Sequence, residues 1–485
     1  MNSKAANYLR TLCSKQNAER DKFSSNSTTR FIVSNTRAPI RPQSKKESIW
    51  IAQLLRRAGF GYTPKELKYY KSLGYDGALN ELLNPKQVDN SLLEKAIKEQ
   101  SFDFTNPNDL RRWWLYRMIY SRRPLEEKMT LFLHGHFATS DRKVRNPHAM
   151  YVQNMLMRKY ALGNFHDLLV GMAKDPAMII WLDNQQNRKG KPNENFAREV
   201  MELFTVGIGN YTEKDIKEAA RAFTGWQTKP DGFYFNKGQH DFSKKTVLSV
   251  SGNLNGEDIV SILVKRPETS KFLARKLITF FAYDNPDKSY VDRVSSSFRD
   301  NNYSLTAMLR SIFEDKTFQS ERAFHAKIKS PAELVVGSIK TLQLESLDND
   351  LPQLMGAMGQ DLFHPPSVKG WDGGESWISS DTMMERFNFT ARITTTRFDE
   401  LLKTNTPTQL VHRFGLTNAL EMVNYFVELL VDGDVPKQTR QRLVEYVSSD
   451  LDGKKVSMIE DDRTLDAKLR GLVHLIMTLP TYQLT

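Results

Sequence analysis

The sequence predicts a mainly α protein: a large multi-helix body carrying a small β-hairpin insertion near residues 230–252. Three observations predict it. Capped, amphipathic segments follow one another along most of the chain. Strand-like runs are confined to Phe233-Tyr234-Phe235 and Thr246 to Val250, each set between turn residues. No fixed-period repeat of the solenoid kind is seen. The reading divides the 485 residues into a disordered basic leader (1–46), a helical body (47–400) and a C-terminal helical appendage (401–485).

The leader is rich in Ser, Asn, Thr and Arg and lacks hydrophobic periodicity, a composition that cannot bury enough surface to fold. This composition also overlaps with that of organellar transit peptides, and an arm for phosphate or a membrane surface is the alternative. It carries ten Lys or Arg against Glu19 and Asp21, and so holds +8 of the net charge of +12. Basicity is therefore a property of the leader, and the body gives no support to a nucleic-acid partner. The leader has no apolar h-region, so a standard secretory signal is not expected. No run of about 18 apolar residues is long enough for a membrane span. The single cysteine, Cys13, excludes an internal disulfide framework and any multi-cysteine metal site.

Order is expected from near Ser48. ESIWIAQLLRRAGF (47–60) has helical periodicity and stops at Gly59 and Gly61. Thr63-Pro64 then reads as an N-cap followed by a first-turn proline. LRRWWLYRMIY (110–120) is a helix with a heavy aromatic load. Pro124 opens the next, with Glu126 and Glu127 in the first turn, where the helix dipole favours anions. That helix is expected to end near His134, with Gly135 as a left-handed cap that lets His136 leave at an angle. Further helices are read at 149–161, 165–173, 176–182, 194–205 and 213–224, the last opened by the capping box Thr212-x-x-Asp215. After the insertion, helices resume at about 256 and continue to the end, interrupted by a stiff loop through Pro365-Pro366 and Gly370 to Gly374.

Chemistry is concentrated between Leu182 and Trp226. Asp183, Asn184, Asn187, Asn193, Glu194, Asn195, Arg198, Glu199 and Glu202 crowd around a proline and several glycines there. At about 100° per residue, Phe196, Val200, Leu203 and Phe204 share one stripe of the 194–205 helix, and Glu199 lies about 60° from Phe196 at its edge. A carboxylate placed so needs a partner or a raised pKa. That suits a general base, a metal ligand or a structural ion pair. Arg198 points away, and Asn193 after Pro192 reads as an N-cap. His134, His136 and His240 are the candidate metal ligands, since neutral imidazole is a common one. The alternatives are a helix C-terminal cap for His134, a packed core residue for His136 and a flap-tip turn for His240. His364-Pro365-Pro366 and Trp371-Asp372-Gly373-Gly374 read as a stiff loop with loop and packing residues, stacking of Trp371 and Trp377 on sugar rings being the alternative. HExxH, Walker A, GxSxG and kinase signatures are absent.

LLRRAGFG (54–61), PLEEKMTLFLHGHFATS (124–140), ALGNF (161–165), DPAMIIWLDN (175–184), KPNENFAREVMELFTVGIGNYTEKDIKEAARAFTGW (191–226), His240-Asp241 and MGQDLFHPPSVKGWDGGESWISS (358–380) together resemble the family called "domain of unknown function 1800". The resemblance runs from about Leu54 to Phe389 and implies a largely helical, mostly bacterial protein, often exported. As a partner it implies an exported sulfatase-like protein encoded nearby. It implies no established activity, cofactor or catalytic residue. Two departures stand out: the leader lacks an export signal, and Leu133 stands where members often have Trp.

Two function classes remain open. In the first, the protein is a metal-dependent hydrolase, with His134, His136 and His240 holding a divalent metal and Glu199 and Asp183 as catalytic carboxylates. Asn184, Asn193, Glu194, Asn195 and Arg198 line the remaining polar cleft. A glycan-cleaving variant uses the two carboxylates without metal. In the second, it is a non-catalytic helical binding or assembly module for a cell-surface partner or polysaccharide.

Overall fold

The structure, a computed structural model, describes residues 45–344, 349–394, 406–450, 453–454 and 461–485. The basic leader, up to residue 44, lies outside the described residues. The N-terminal half runs through α1 (Lys45–Arg57), α2 (Pro64–Leu83), α3 (Ser91–Gln100), α4 (Pro107–Tyr120), α5 (Pro124–His136), α6 (Asp141–Val144), α7 (Pro147–Tyr160), α8 (Phe165–Ala173), α9 (Pro176–Trp181), α10 (Asn195–Glu202) and α11 (Glu213–Ala222). The insertion supplies β1 (Trp226–Lys229), β2 (Gly232–Phe235), β3 (Lys245–Val247) and β4 (Val250–Gly252). Then follow α12 (Gly256–Lys265), α13 (Pro267–Phe281), α14 (Lys288–Asp300), α15 (Leu305–Glu314), α16 (Pro331–Thr341), α17 (Leu351–Ala357), α18 (Ser380–Thr394), α19 (Pro407–Arg413), α20 (Ala419–Val431), α21 (Lys437–Val447) and α22 (Asp462–Met477). The fold is mainly α with a small antiparallel β insertion.

Local sequence sets the helix starts. Thr63 and Thr212 close full capping boxes with Glu66 and Asp215, and Asn255, Ser330 and Thr406 do the same for α12, α16 and α19. Proline at the first turn of α2, α4, α5, α7, α9, α13, α16 and α19 costs no hydrogen bond, because the first N–H groups have no helical acceptor. The insertion is two hairpins rather than one. β1 pairs with β2, while Thr246 to Val250 folds back on itself through Leu248 and Ser249, both at positive φ, so that β3 pairs with β4. Asp215 and Glu218 of α11 accept hydrogen bonds from the backbone N–H groups of Leu248 and Thr246, fixing the second hairpin to that helix.

Two apolar cores result. The first gathers α1, α2, α8 and α10–α15, with Phe165, Phe204, Phe223, Phe281 and Phe298 fully buried. The second gathers α4 and α16–α22 around Trp113, Trp114, Phe389, Phe426 and Leu469. Helix α5 serves both: Leu125, Met129, Phe132 and Leu133 enter the first, and Leu131 the second. The C-terminal segment is tied into the body by a bridge between Ile328 and Leu484, backbone bonds from Lys329 to Gln483 and from Thr485 to Lys327, and an Arg56–Asp432 ion pair.

Helix α5 does not end where the sequence suggested. It continues through His136; Phe137 N–H donates to the Leu133 carbonyl at 2.8 Å, and Gly135 is an ordinary helical residue. The glycine that packing requires is on the other side of this contact. Gly370, at φ +86°, lies so close that a Cβ there would strike the Gly135 carbonyl oxygen. Gly370→Ala therefore combines an unfavourable left-handed backbone with a backbone clash. It should lower stability in urea by ~2 kcal/mol or more, against ~1 kcal/mol for Gly190→Ala, where φ is +79° and nothing lies within 4 Å.

Candidate functional site

Residues two apart on an α-helix point about 200° apart, and the continuous α5 therefore sends its two histidines into different cores. His134 is fully buried against Trp114, Phe363 and Trp371, with ring centroids 5.2, 5.4 and 5.5 Å away. Its Nε2 accepts a hydrogen bond from the Phe363 N–H at 3.1 Å. His136 stacks on Phe132 and meets Phe137, Phe204 and Phe165. Its Nε2 donates to the Phe204 carbonyl at 3.1 Å, leaving Nδ1 as the lone-pair nitrogen. Burial holds both imidazoles neutral, His134 down to about 3 and His136 well below its ordinary value, and the nearby Arg111 and Lys276 charges act in the same direction.

His240 is turned elsewhere. Its Nδ1 donates to the Thr224 carbonyl at 2.8 Å, and its ring sits between Phe235 and Phe242. Among the described residues no group of three or more His, Cys, Asp or Glu side chains is arranged to hold a metal ion.

The polar stretch after Leu182 is gathered, mainly around its asparagines. Asn184 is buried and donates to the Trp226 carbonyl; Asn187 donates to the Ala220 carbonyl and to Asn184 Oδ1, and accepts from the Asn193 N–H. These bonds pin the loop to the end of α11 and the start of β1. Asn193 accepts from the Asn195 N–H, so it stands one residue outside the cap position, which Glu194 occupies without a side-chain cap bond. Helix α10 ends at Glu202, short of the expected 205. The Glu199 carbonyl accepts the last regular helical bond, from Leu203, and also a bond from Phe204 five residues on, which widens the final turn and departs from the α-helical pattern. Asp183, at φ 57°, is held by Lys143 and by Asn195 Nδ2. Arg198 faces outward and forks onto Glu213 while also reaching Glu194. Glu199 is different. It is half-buried, no described side chain pairs with it, and burial followed by the Glu202 charge raises its pKa.

A second constellation, which the sequence reading took for loop packing, surrounds His364. Its Nδ1 lies 2.7 Å from Asp141 Oδ1, and Asp141 Oδ2 accepts from Arg111 at 2.8 Å. Arg111 Nε in turn donates to Asp361 at 2.6 Å. Asp141 is the first residue of the short α6, with Ser140 as its N-cap. Phe363, immediately before His364, has φ 63°, a region that bulky side chains rarely enter and that costs ~1–2 kcal/mol. Bonds on both sides of its backbone hold it there: its N–H donates to His134 Nε2, and its carbonyl accepts from the Asp141 N–H at 2.9 Å. Pro365 then disfavours helical backbone at His364. The only sequence signal for this group was the paired motifs FATS and DLFHPP; the partners Asp141 and His364 are 223 positions apart.

His134 gives a pH test of its buried setting. Its folded pKa is depressed, so the unfolded chain takes up this proton first, and the associated stability is present above about 6.5 and lost as pH falls towards 3. The stability difference between wild type and His134→Gln, followed by urea unfolding, should shift against the wild type by about 1.4 kcal/mol per pH unit from 6 to 4. A pH-independent difference would contradict the neutral, buried ring.

No curated protein and no solved structure matches the chain. The family described as "Protein of unknown function (DUF1800)" matches residues 53–484, a span that takes in the C-terminal helices as well as the body, and the chain belongs to that family.

Proposed function

We propose that the protein is a hydrolase whose acid–base residue is His364, oriented by Asp141. The observation that carries this reading is the 2.7 Å His364–Asp141 contact, with the second carboxylate oxygen held by Arg111 and the adjoining backbone fixed in a strained conformation. A base held by a carboxylate keeps one tautomer and one orientation, and its other ring nitrogen is left for a reacting water or leaving group. Strain maintained by surrounding bonds supports the same reading.

The metal-dependent version rests on weaker ground, because His134 and His136 face opposite cores and His240 bonds to its own loop. Glu199, unpaired and with a raised pKa, keeps acid–base capacity in the glycan-cleaving variant; Asp183 is engaged by Lys143. One observation favours the binding-module reading. The β insertion exposes Phe242, Tyr234 and Phe233 on its surface, aromatic faces of the kind that stack on sugar rings.

Turnover of chromogenic esters, phosphate esters and glycosides by the full chain tests the proposal. One class should be hydrolysed, with His364→Gln and Asp141→Asn each lowering kcat by ~100-fold or more at little change in KM. Equal rates in wild type and both variants would refute it. Loss on chelation with recovery on adding a divalent ion would restore the metal reading. No turnover, with polysaccharide retention lost in Phe242→Ala, would establish the binding module.

A further inference from the structure

A narrow, partly open cleft lies between the end of α1, α16, α20 and the segment after α22. Phe60, Leu429 and Leu430 form its apolar wall, and Arg56, Lys329 and Glu333 its charged one. Gly61 and Gly337 allow α1 and α16 to meet closely there: a Cβ on Gly337 would come within 3.0 Å of the Phe60 carbonyl oxygen.

The charges around this cleft do not balance. Glu333 is paired with Lys128, and Asp432 with Arg56, which also reaches the Tyr62 hydroxyl. Lys327 is paired with Asp284. Three further cations, Lys329, Arg57 and Arg386, have no carboxylate within ion-pair reach among the described residues. All three are buried, at 9%, 1% and 0% exposure. Arg57 spends one nitrogen on the Ala323 carbonyl and leaves Nε and Nη1 without acceptors. Arg386 donates to Gln483 and to the carbonyl of Lys329, and its Nε has no acceptor. The Lys329 ammonium, with three donors, makes one bond, to the Tyr482 carbonyl at 2.6 Å, and lies 3.8 Å from the centre of the Tyr482 ring. Buried charge of one sign is unfavourable unless an opposite charge enters with it.

We propose that this cleft binds a small organic anion, a carboxylate or phosphate group bearing an apolar substituent, with the Lys329 ammonium recognising the charge and Phe60, Leu429 and Leu430 taking the substituent. Arg386, bonded to the Lys329 carbonyl, adds to the positive field at Lys329, and neither it nor Arg57 lines the cleft. The titration behaviour agrees. Burial first, then Arg56 and Arg386, pull Lys329 down to about 7, against the opposite pull of Glu333 and Asp432; burial likewise brings Arg57 to about 9 and Arg386 to about 10. An arriving anion favours the protonated amine, so binding takes up a proton when pH exceeds 7. The site is separate from His364, and its test is independent of any hydrolytic activity.

The test is calorimetric titration and thermal unfolding of the full chain with benzoate, phenyl phosphate and inorganic phosphate, and with benzamide as a neutral shape control. Benzoate or phenyl phosphate should bind and raise Tm, and benzamide should not. Affinity should fall ~10-fold per pH unit above 7, with buffer-dependent heats reporting proton uptake. Lys329→Met, with its helix content checked by circular dichroism, should weaken binding by ~30-fold or more. Leu429→Ala should weaken benzoate while sparing inorganic phosphate, and serves as the second variant should Lys329→Met fail to fold. Failure of every anion to bind, equal binding of benzamide, or binding that survives Lys329→Met overturns the proposal.

Discussion

Glu127 and Lys128 are adjacent on α5, fully buried, and committed to different neighbours. Glu127 accepts from Arg117 of α4 and from both Nε and Nη2 of Arg158 on α7, with the Trp113 ring beneath both guanidinium groups. Burial alone would raise its pKa, but Arg158 and Arg117 together hold it below the ordinary carboxylate range. Lys128 pairs with Glu333 of α16 and donates to the Gly59 carbonyl beyond α1. Neither charge can leave its partner without being stranded in an apolar interior, where breaking one side costs roughly 3–5 kcal/mol. The rotation of α5 about its axis is thereby set, and with it the direction in which every other α5 side chain points. Leu131 goes to one core and Phe132 to the other, and His134 and His136 follow the same division.

That constraint explains what the sequence could and could not convey. Starts of helices were legible because their determinants lie within four residues: Thr63 with Glu66, and Thr212 with Asp215. The asparagines after Leu182 announced a polar knot, and the knot exists, although its acceptors are backbone carbonyls at Ala220 and Trp226 that no side-chain pattern encodes. Gly135 misled, because a glycine at the end of an apolar helical run reads as a left-handed cap, and the continuation of the helix through His136 is not encoded locally. The glycine that the contact requires is Gly370, 235 positions away. Glu127 lies in the first turn as expected, but the sequence conveyed only part of its role. In the first turn of a helix a carboxylate reads as a solvated dipole partner, and only the arrival of Arg117 and Arg158 makes it a core residue.

The unbalanced cations belong to the same architecture. Each of Arg57, Lys329 and Arg386 sits where the second core meets the end of α1, the place at which Lys128 and Glu333 also meet. Apolar packing there would have been at least as favourable as isolated charge. A fold that keeps three buried cations beside a cleft, while its local carboxylates are engaged by Lys128, Arg56, His325 and Lys327, holds them at an energetic disadvantage that a ligand of opposite charge relieves.

The loop that carries His364 depends on α5 in a more specific way. Gly370 seats on the backbone at Gly135, and the Phe363 N–H finds its acceptor on His134. Only a neutral imidazole can accept that bond, since both ring nitrogens of the charged form are donors. Burial among Trp114, Phe363 and Trp371 keeps the ring neutral down to about 3. The acceptor that holds Phe363 at φ 63° is thus in place throughout the neutral range, and the strain is held by a group that does not itself titrate there. His134, first considered as a ligand for metal, is on this geometry a positioning residue: it fixes the backbone from which His364 reaches Asp141.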